Sequence, residues 1–224
     1  MALLLHYTGQ DYISRGLLKT ELTPGSTSAI VGGCKTGKGF SFDGTNNSAY
    51  INMTSFDNTN IIAISTWFRT GVSIVVGENL TVFATSNNTR PQLIIEVFGT
   101  NRIGIGVLDS NNSYNVATTA DNAVTPNVWH HLYAQINKTT RRLTLYLNGV
   151  LVQNKSYPSV TLQTSNRFYI GRRLDIVKPF NGQVCNFKLY NHVLSQKEIK
   201  EDYKSLMLHY KLDKPITTQV FDHS

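Results

Sequence analysis

Four successive stretches decide the fold: VWHHLYAQIN at 128–137, RRLTLYLNGVLV at 141–152, FYIGRR at 168–173 and FNGQVCNFKLYNHVLSQKEI at 180–199. In the second stretch, Leu143, Leu145 and Leu147 occupy every second position, which is the period of a β-strand with one buried face. The Asn148-Gly149 pair that follows is a strong hairpin signal, because both central residues of a type I′ turn need a positive φ. We therefore expect the runs on either side of this pair to form one hairpin.

The stretches before and after this hairpin alternate in the same way and predict two more half-buried strands. The residues expected to face the core are Leu132, Ala134 and Ile136 in the first stretch and Cys185, Phe187 and Leu189 in the last. Apolar runs between polar turns predict further strands in the first half. These strands are Leu3 to His6, Gly39 to Phe42, Ala49 to Met53, Ile61 to Arg69, Leu80 to Thr85, Leu93 to Phe98 and Arg102 to Leu108.

One short helix is predicted near the end of the chain. Ser195 and Glu198 have the spacing of a capping box, in which the hydroxyl accepts from the third residue and the carboxylate reaches back. A helix over 196–205 should follow, with Ile199 and Tyr203 docking it on the sheet.

Composition favours a single globular domain rather than a disordered or nucleic-acid-binding chain. The 224 residues are 41% hydrophobic and 16% charged, a balance typical of β-rich proteins with polar loops. The net charge is +7, but the basic residues occur singly or as the pairs Arg141-Arg142 and Arg172-Arg173. Because no clustered basic patch with interleaved aromatics appears, we expect no nucleic-acid partner. Contact with an anionic polysaccharide or an acidic protein fits this charge at least as well.

The two cysteines are far apart in sequence and carry neither a zinc nor a redox motif. Cys34 lies in a Gly-rich loop and Cys185 is expected to face the core. We expect two reduced thiols; a disulfide is the alternative and would require the loop to fold over the final strand.

The first residues, MALLLHYTGQ, lack the basic segment and the long apolar run of a secretory signal. No run reaches transmembrane length, so we expect no signal peptide and no membrane insertion. Such a chain was either excised for expression or is made in the cytosol and exported as part of a particle.

Together with GKGFSFDG at 37–44 and IIAISTWFRT at 61–70, the four stretches resemble the concanavalin A-like lectin/glucanase superfamily. The similarity is to its laminin-G and pentraxin-like branch, of the kind found in virion proteins of phages and large viruses, and it covers residues 3–204. It implies an all-β fold, an antiparallel two-sheet jelly-roll sandwich with one short C-terminal helix, over a domain at 1–205.

The resemblance does not extend to the catalytic acids of the related glucanases. Those enzymes carry paired carboxylates on one strand, whereas Glu96 and Asp109 stand alone here. We therefore expect no enzyme activity and a Glu96 side chain that faces solvent or a groove. His130 is expected in the core and His131 on the outer face, and Trp67 and Trp129 are expected as core anchors rather than sugar platforms.

Two candidate sites remain. Tyr114 beside Asn111 and Asn112 could stack on a sugar while the amides hydrogen-bond its hydroxyls. Relatives in the laminin-G and pentraxin branch commonly hold calcium on rim loops, and Asp43 and Asn46 would supply hard oxygen ligands for Ca²⁺.

The final segment, 206–224, contains LMLHYKLD, which repeats the opening LLLHYTGQD. We interpret it as the start of a second, truncated repeat; a terminal strand that pads a sheet edge is the alternative.

Two functions follow from these observations. The first is a non-enzymatic virion structural or adhesion module (a fibre, capsid decoration or receptor-binding component) that contacts glycan through rim loops. Its expected location is a virion or an extracellular surface, and its expected partners are other virion or surface proteins, host or surface glycan and further copies of itself. The alternative is a carbohydrate-binding lectin domain, free or appended to an enzyme.

Overall fold

The computed structural model describes residues 3–7, 23–24, 29–35, 37–45, 48–52, 59–72, 74, 76–86, 93–108, 113–158, 167–173 and 179–204. These residues form β-strands and one α-helix, α1 (Gln196–Lys204). The strands are β1 (Leu3–Tyr7), β2 (Thr23–Pro24), β3 (Ala29–Cys34), β4 (Gly37–Asp43), β5 (Ala49–Asn52), β6 (Ile61–Thr70), β7 (Asn79–Ser86), β8 (Leu93–Phe98), β9 (Arg102–Leu108), β10 (Tyr114–Thr118), β11 (His130–Asn137), β12 (Arg142–Leu147), β13 (Val150–Ser156), β14 (Arg167–Ile170) and β15 (Asn181–Tyr190).

Two antiparallel sheets contain all of these strands. In the described residues, one sheet has eight strands in the order β13-β12-β11-β6-β15-β4-β3, with β1 also paired to β15. The other has seven strands in the order β10-β9-β8-β7-β14-β5-β2. The predicted all-β jelly-roll sandwich is confirmed, and each strand predicted in the first half is present with bounds that differ by at most a few residues.

The inner faces of the two sheets form one hydrophobic core. Leu143, Leu145 and Leu147 of β12 are buried, whereas Thr144 and Tyr146 between them are only partly buried. Each fully buried side chain of this size contributes about 1.5–3 kcal/mol through removal of apolar surface from water. The alternation read from the sequence is therefore the pattern that holds the sandwich together.

The predicted hairpin between β12 and β13 is confirmed. Asn148 has φ 52° and Gly149 has φ 75°, and Leu147 pairs with Val150 across the turn. Both central residues thus adopt the left-handed conformation that a type I′ turn requires.

The prediction that Cys185 faces the core is wrong. A register shift between Cys185 and Lys188, with Asn186 at φ 49°, marks a β-bulge in β15. Val184 pairs with Phe68 on the core side, whereas the neighbouring Cys185 pairs with Trp67 on the outer side of the eight-stranded sheet. The extra residue of the bulge reverses the faces on either side of it, which simple alternation cannot anticipate.

The two thiols expected to be reduced instead form a disulfide. Cys34 and Cys185 are bonded, with their Cα atoms 6.2 Å apart. The bridge passes over β4 at Gly39, where a Cβ atom would collide with the Cys34 sulfur. A bulge that turns Cys185 outward and a glycine that leaves room for the bridge together make the bond geometrically accessible.

Helix α1 begins with the predicted capping box and ends at Lys204, one residue before the predicted end. The Glu198 amide donates to the Ser195 hydroxyl, and the Glu198 carboxylate accepts from the Ser195 amide at 2.7 Å. Among the described residues, no helix has the length and apolar character needed to cross a membrane. The segment 206–224 lies outside the described residues, so the proposed second repeat stays a prediction.

Candidate binding face of the seven-stranded sheet

The outer face of the seven-stranded sheet carries the side chains that alternate with the core residues of β5 and β14. Phe168 and Ile170 of β14 are buried in the core, so Arg167 and Tyr169 point to the opposite side. In the adjacent strand, Ala49 and Ile51 are likewise in the core, which places Tyr50 and Asn52 on the same outer face. The register pairs Tyr169 with Tyr50 and Arg167 with Asn52.

These side chains form an ordered cluster, which we call the Tyr–Arg patch (Tyr50, Asn52, Arg167, Tyr169 and Arg172). The rings of Tyr50 and Tyr169 lie 5.8 Å apart between centroids. The Arg167 guanidinium lies 4.9 Å from the centroid of the Tyr50 ring. Its Nε donates to Oδ1 of Asn52 at 3.1 Å and one terminal nitrogen donates to the Tyr169 hydroxyl at 3.3 Å. The guanidinium is therefore held in one plane by a ring and two hydrogen bonds.

The hydrogen bond with Tyr169 also raises the pKa of Arg167 above its ordinary value. Arg167 is exposed and remains a full positive charge on the surface. Arg172 adds a second guanidinium, 5.4 Å from the centroid of the Tyr169 ring. In the described ranges, neither arginine forms an ion pair with a carboxylate.

Arg173 differs from these two arginines because a buried carboxylate neutralises it. Glu96 is 0% exposed and Arg173 is 8% exposed, and Oε1 of Glu96 accepts from Arg173 at 3.2 Å. Asn79 and Thr81 donate to the same carboxylate, each at 3.0 Å. A buried carboxylate needs such partners, since an unpaired charge away from water is strongly unfavourable.

The expectation that Glu96 faces solvent or a groove is therefore wrong. It does lie on the outer face, opposite to Ile95 and Val97 of the core, but it is fully buried there and pairs with Arg173, which follows β14 by three residues. Its carboxylate is engaged by three donors, so its geometry is that of a structural ion pair rather than of a general acid.

Tyr114, the predicted sugar-stacking residue, belongs to the same face. It is half-buried at the start of β10, and the Arg173 guanidinium lies 5.7 Å from the centroid of its ring. Its predicted companions Asn111 and Asn112 lie outside the described residues. The glycan contact at Tyr114 stays a prediction.

Asp43, the predicted calcium ligand, is exposed at the end of β4. Its Oδ1 accepts from the amide of Thr45 at 2.8 Å and from the hydroxyl of Thr45 at 2.7 Å, which caps the turn that follows. Asn46 lies outside the described residues. Among the residues that are described, no group of three or more His, Cys, Asp and Glu side chains could hold a metal ion, and the calcium site stays a prediction.

A second polar cluster lies on the opposite side of the molecule, between the eight-stranded sheet and α1. Oδ2 of Asp202 accepts from the Ser65 hydroxyl at 2.5 Å and lies 3.6 Å from Nε2 of His131. Lys188 forms an ion pair with the other carboxylate oxygen. Burial alone would raise the pKa of Asp202, but the bond with His131, the charge of Lys188 and the Ser65 hydroxyl hold it well below its usual range.

This cluster contains serine, histidine and aspartate but does not have the geometry of a catalytic triad. Nε2 of His131 faces both the Ser65 hydroxyl, at 3.0 Å, and the Asp202 carboxylate, whereas a triad needs the aspartate on the other ring nitrogen. Ser65 and His131 are each 1% exposed, so a substrate has no access to them. The cluster instead fastens α1 to the sheet.

Aromatic rings pack around the Asp202 cluster, and this packing explains why Trp67 and His131 are buried. The Tyr203 ring stacks on Trp67 with centroids 5.5 Å apart, and His131 packs against both rings. Trp67 and His131 thus lie on the outer face of the sheet but are covered by α1. His130 is buried on the opposite face against Phe68, as predicted.

Sequence reasoning missed the Tyr–Arg patch and the Asp202 cluster. Alternation alone could have placed Tyr50 opposite to Ala49, and Tyr169 opposite to Phe168. It could not have shown that β5 and β14 are neighbours, because they are separated by more than 100 residues of sequence; Arg167 and Asn52 are 115 residues apart.

Comparison with known families gives one match that covers most of the chain. The model described as "Concanavalin A-like lectin/glucanases superfamily" matches residues 43–200. No curated protein sequence matches significantly.

Solved structures with the same fold include receptor-binding domains of botulinum neurotoxins. One is the binding domain of botulinum neurotoxin DC in complex with rat synaptotagmin II, with a TM-score of 0.74, 15% identity, 91% of this chain and 51% of that chain covered. Another is botulinum neurotoxin type C, which depends on interaction with two ganglioside molecules to enter cells (TM-score 0.74, 13% identity, 92% and 51% covered). A third is the receptor-binding domain of the C/D mosaic serotype (TM-score 0.75, 13% identity, 92% and 52% covered). The chain thus spans about half the length of these structures, and the likeness concerns the fold.

Proposed function

Because this chain belongs to the concanavalin A-like lectin/glucanases superfamily, we propose that it is a non-enzymatic binding module that contacts glycan through the outer face of its seven-stranded sheet. We place it on a virion or another extracellular surface, as a structural or adhesion component. The laminin-G-like motifs of the sequence resemble those of virion proteins, and that resemblance motivates the virion role.

The observation that carries the proposal is the Tyr–Arg patch. It presents the half-buried Tyr50 ring, the Asn52 amide and the guanidinium groups of Arg167 and Arg172, all packed around the Tyr169 ring, which is itself only 2% exposed. Tyr50, Asn52 and Arg167 stand on paired strands, where the backbone hydrogen bonds hold the side chains in place. Aromatic surface with a few fixed hydrogen-bonding groups is the chemistry that saccharide-binding sites use. Strands also position such groups more rigidly than loops do.

The burial of Glu96 and its ion pair with Arg173 support a role without catalysis. Retaining and inverting glycosidases both need a second carboxylate across the scissile bond and an acid that can give up or take a proton. Here Arg173 neutralises the Glu96 carboxylate, and both groups are buried. This arrangement stabilises the sheet and leaves the patch as the chemically distinctive part of the described face.

The disulfide supports a location outside the reducing cytosol. Such bonds form and persist in oxidising compartments and on virion or cell surfaces. The structures with the same fold support a binding role, since one is a toxin binding domain in complex with synaptotagmin II and another belongs to a toxin whose cell entry depends on two ganglioside molecules.

A glycan array measured with and without calcium tests the proposal. We expect specific binding by the unmodified protein and a loss of at least about tenfold in Tyr50→Ala, because removal of the ring frees Arg167. Tyr146→Ala is the matched control, since Tyr146 is also half-buried but lies on the outer face of the other sheet. Tyr114→Ala and Asp43→Asn test the two predicted sites in the same assay.

A blank array, or equal loss in Tyr50→Ala and Tyr146→Ala, would refute glycan contact through this face. Hydrolysis of a polysaccharide that disappears in Glu96→Gln would refute the non-enzymatic role and favour a glycoside hydrolase of the same fold. Purified particles or surface extracts probed with an antibody to the chain would test the proposed location.

A further inference from the structure

We propose that the Tyr–Arg patch binds acidic saccharides, with a carboxylate or sulfate group of the ligand held by Arg167 and Arg172. This inference rests on the proposed glycan-binding function and specifies the class of ligand for the same face.

The charge balance of the face is the first argument. Three arginines lie in the segment 167–173, and only Arg173 is neutralised, through Glu96. Arg167 and Arg172 keep their charges without a carboxylate partner in the described part of the chain. Two uncompensated positive charges on one face attract an external anion.

The geometry of Arg167 is the second argument. A guanidinium has five N–H donors in a rigid fork, and the bonds to Asn52 and Tyr169 use one on Nε and one on a terminal nitrogen. The remaining donors belong to an exposed side chain whose plane is already fixed by the Tyr50 ring. A pre-oriented fork binds planar carboxylate or sulfate oxygens in a bidentate manner with little further loss of entropy.

Arg172 provides the third argument. Its guanidinium packs over the same Tyr169 ring whose hydroxyl holds Arg167. The two cations are thus gathered around one ring despite their mutual repulsion, and an anion between or beside them would relieve that repulsion.

A saccharide fits this face better than a nucleic acid does. Nucleic-acid binding uses a stripe of basic residues that follows many phosphates, whereas the patch offers two cations among tyrosines and an asparagine. A single acidic group surrounded by hydroxyls matches two guanidinium groups, the Tyr50 phenol and one amide.

Matched pairs of ligands test the inference by isothermal titration or biolayer interferometry. The pairs are sialyllactose with lactose, oligogalacturonate with its methyl ester, and a sulfated oligosaccharide with its desulfated form. We expect the acidic member of at least one pair to bind about tenfold or more tightly than its neutral partner. We also expect this difference to shrink as the salt concentration rises.

Variants assign the effect to the patch. Arg167→Gln should abolish the preference for the acidic member, and Arg167→Lys should keep only part of it because lysine has charge but no planar fork. Arg142→Gln is the matched control: Arg142 is also exposed and bonded to an asparagine, but it lies in the other sheet. Thermal unfolding verifies that each variant is folded.

The outcomes separate this inference from the proposed function. Equal binding of acidic and neutral members through the patch would overturn the acidic preference and leave glycan binding intact. Loss of acidic binding in Arg142→Gln as large as in Arg167→Gln would overturn the assignment to the patch. Binding of single-stranded RNA or DNA that displaces the saccharide at lower concentration would overturn the choice of ligand, and absence of binding to every saccharide would overturn both proposals.

Discussion

Substitution of Asp202 by asparagine should remove much of the stabilisation that holds α1 against the eight-stranded sheet. The Asp202 carboxylate accepts from Ser65, lies beside His131 and forms an ion pair with Lys188. The asparagine side chain has nearly the same shape but no charge. Asp202→Asn therefore leaves the ammonium of Lys188 without its partner in a largely buried place.

The expected loss in the free energy of unfolding follows from how deeply the charges of Asp202 and Lys188 are buried. Removal of one member of a fully buried ion pair costs about 3–5 kcal/mol, and an exposed pair contributes under about 1 kcal/mol. The side chains of Asp202 and Lys188 are 10% and 15% exposed, so the pair lies close to the buried limit. We expect Asp202→Asn to lower the free energy of unfolding by about 2–3 kcal/mol.

A control on the same helix turn makes this result specific. Glu201 and Lys197 form an ion pair at 3.8 Å, but their side chains are 62% and 84% exposed. Glu201→Gln should change the free energy of unfolding by less than about 0.5 kcal/mol. Urea unfolding followed by circular dichroism measures both variants under the same conditions.

The pH dependence gives a second, independent readout. Because the pKa of Asp202 is lowered in the folded protein, its stabilising contribution is fully present above the ordinary aspartate pKa of about 3.9. The contribution is lost as the pH falls from there toward the lower folded-state pKa. The difference in stability between the unmodified protein and Asp202→Asn should therefore narrow by roughly 1 kcal/mol between pH 6 and pH 3.

Two results would refute this reasoning. One is a loss in Asp202→Asn no larger than that in Glu201→Gln. The other is a loss that persists unchanged in a Lys188→Met background, since the double-mutant cycle would then show no coupling between the two charges.

Three further outcomes are expected. Reduction of the disulfide between Cys34 and Cys185 should lower the free energy of unfolding by up to about 5 kcal/mol in the chain-entropy account, because the bond closes a sequence separation of 151 residues. An unfolding transition that is unchanged by dithiothreitol would contradict this expectation. Gly149→Ala should lower the free energy of unfolding by about 1–2 kcal/mol, and by more than Gly77→Ala does, as measured by thermal unfolding. Both glycines have a positive φ, but only Gly149 lies against a ring, that of Tyr203. Equal losses in the two variants would show that the contact with the ring does not contribute. Glu96→Gln should lower the free energy of unfolding by about 2–4 kcal/mol, because it removes the charge that faces the largely buried Arg173 guanidinium. A stability within about 0.5 kcal/mol of the unmodified protein, the scatter of surface substitutions, would show that the pair is not structural.

Interactions within a few residues of sequence made several features predictable. The alternation of Leu143, Leu145 and Leu147 selects one face of a strand, and the hairpin at Asn148 depends only on which residues tolerate a positive φ. The capping box of α1 closes within four residues, from Ser195 to Glu198. Each of these signals is local, and each was confirmed.

Long-range pairing decided the features that sequence reasoning missed. The disulfide needed a bulge in β15 to turn Cys185 outward and a glycine in β4 to let the bridge pass. Glu96 was expected to be accessible because a lone acid in a strand gives no hint of the arginine that covers it. The Asp202 cluster depends on where α1 docks, which its own residues do not specify.

The amino-acid sequence by itself determined that the chain forms an antiparallel sandwich, because strand period, turn chemistry and helix capping are properties of short segments. Only the tertiary structure decided which outward side chains become neighbours. Tyr50 and Tyr169 lie on strands far apart in the chain, and their contact exists because closure of the whole sheet places β5 beside β14. A binding face assembled in this way is a property of strand order and register, which depend on how the entire core packs.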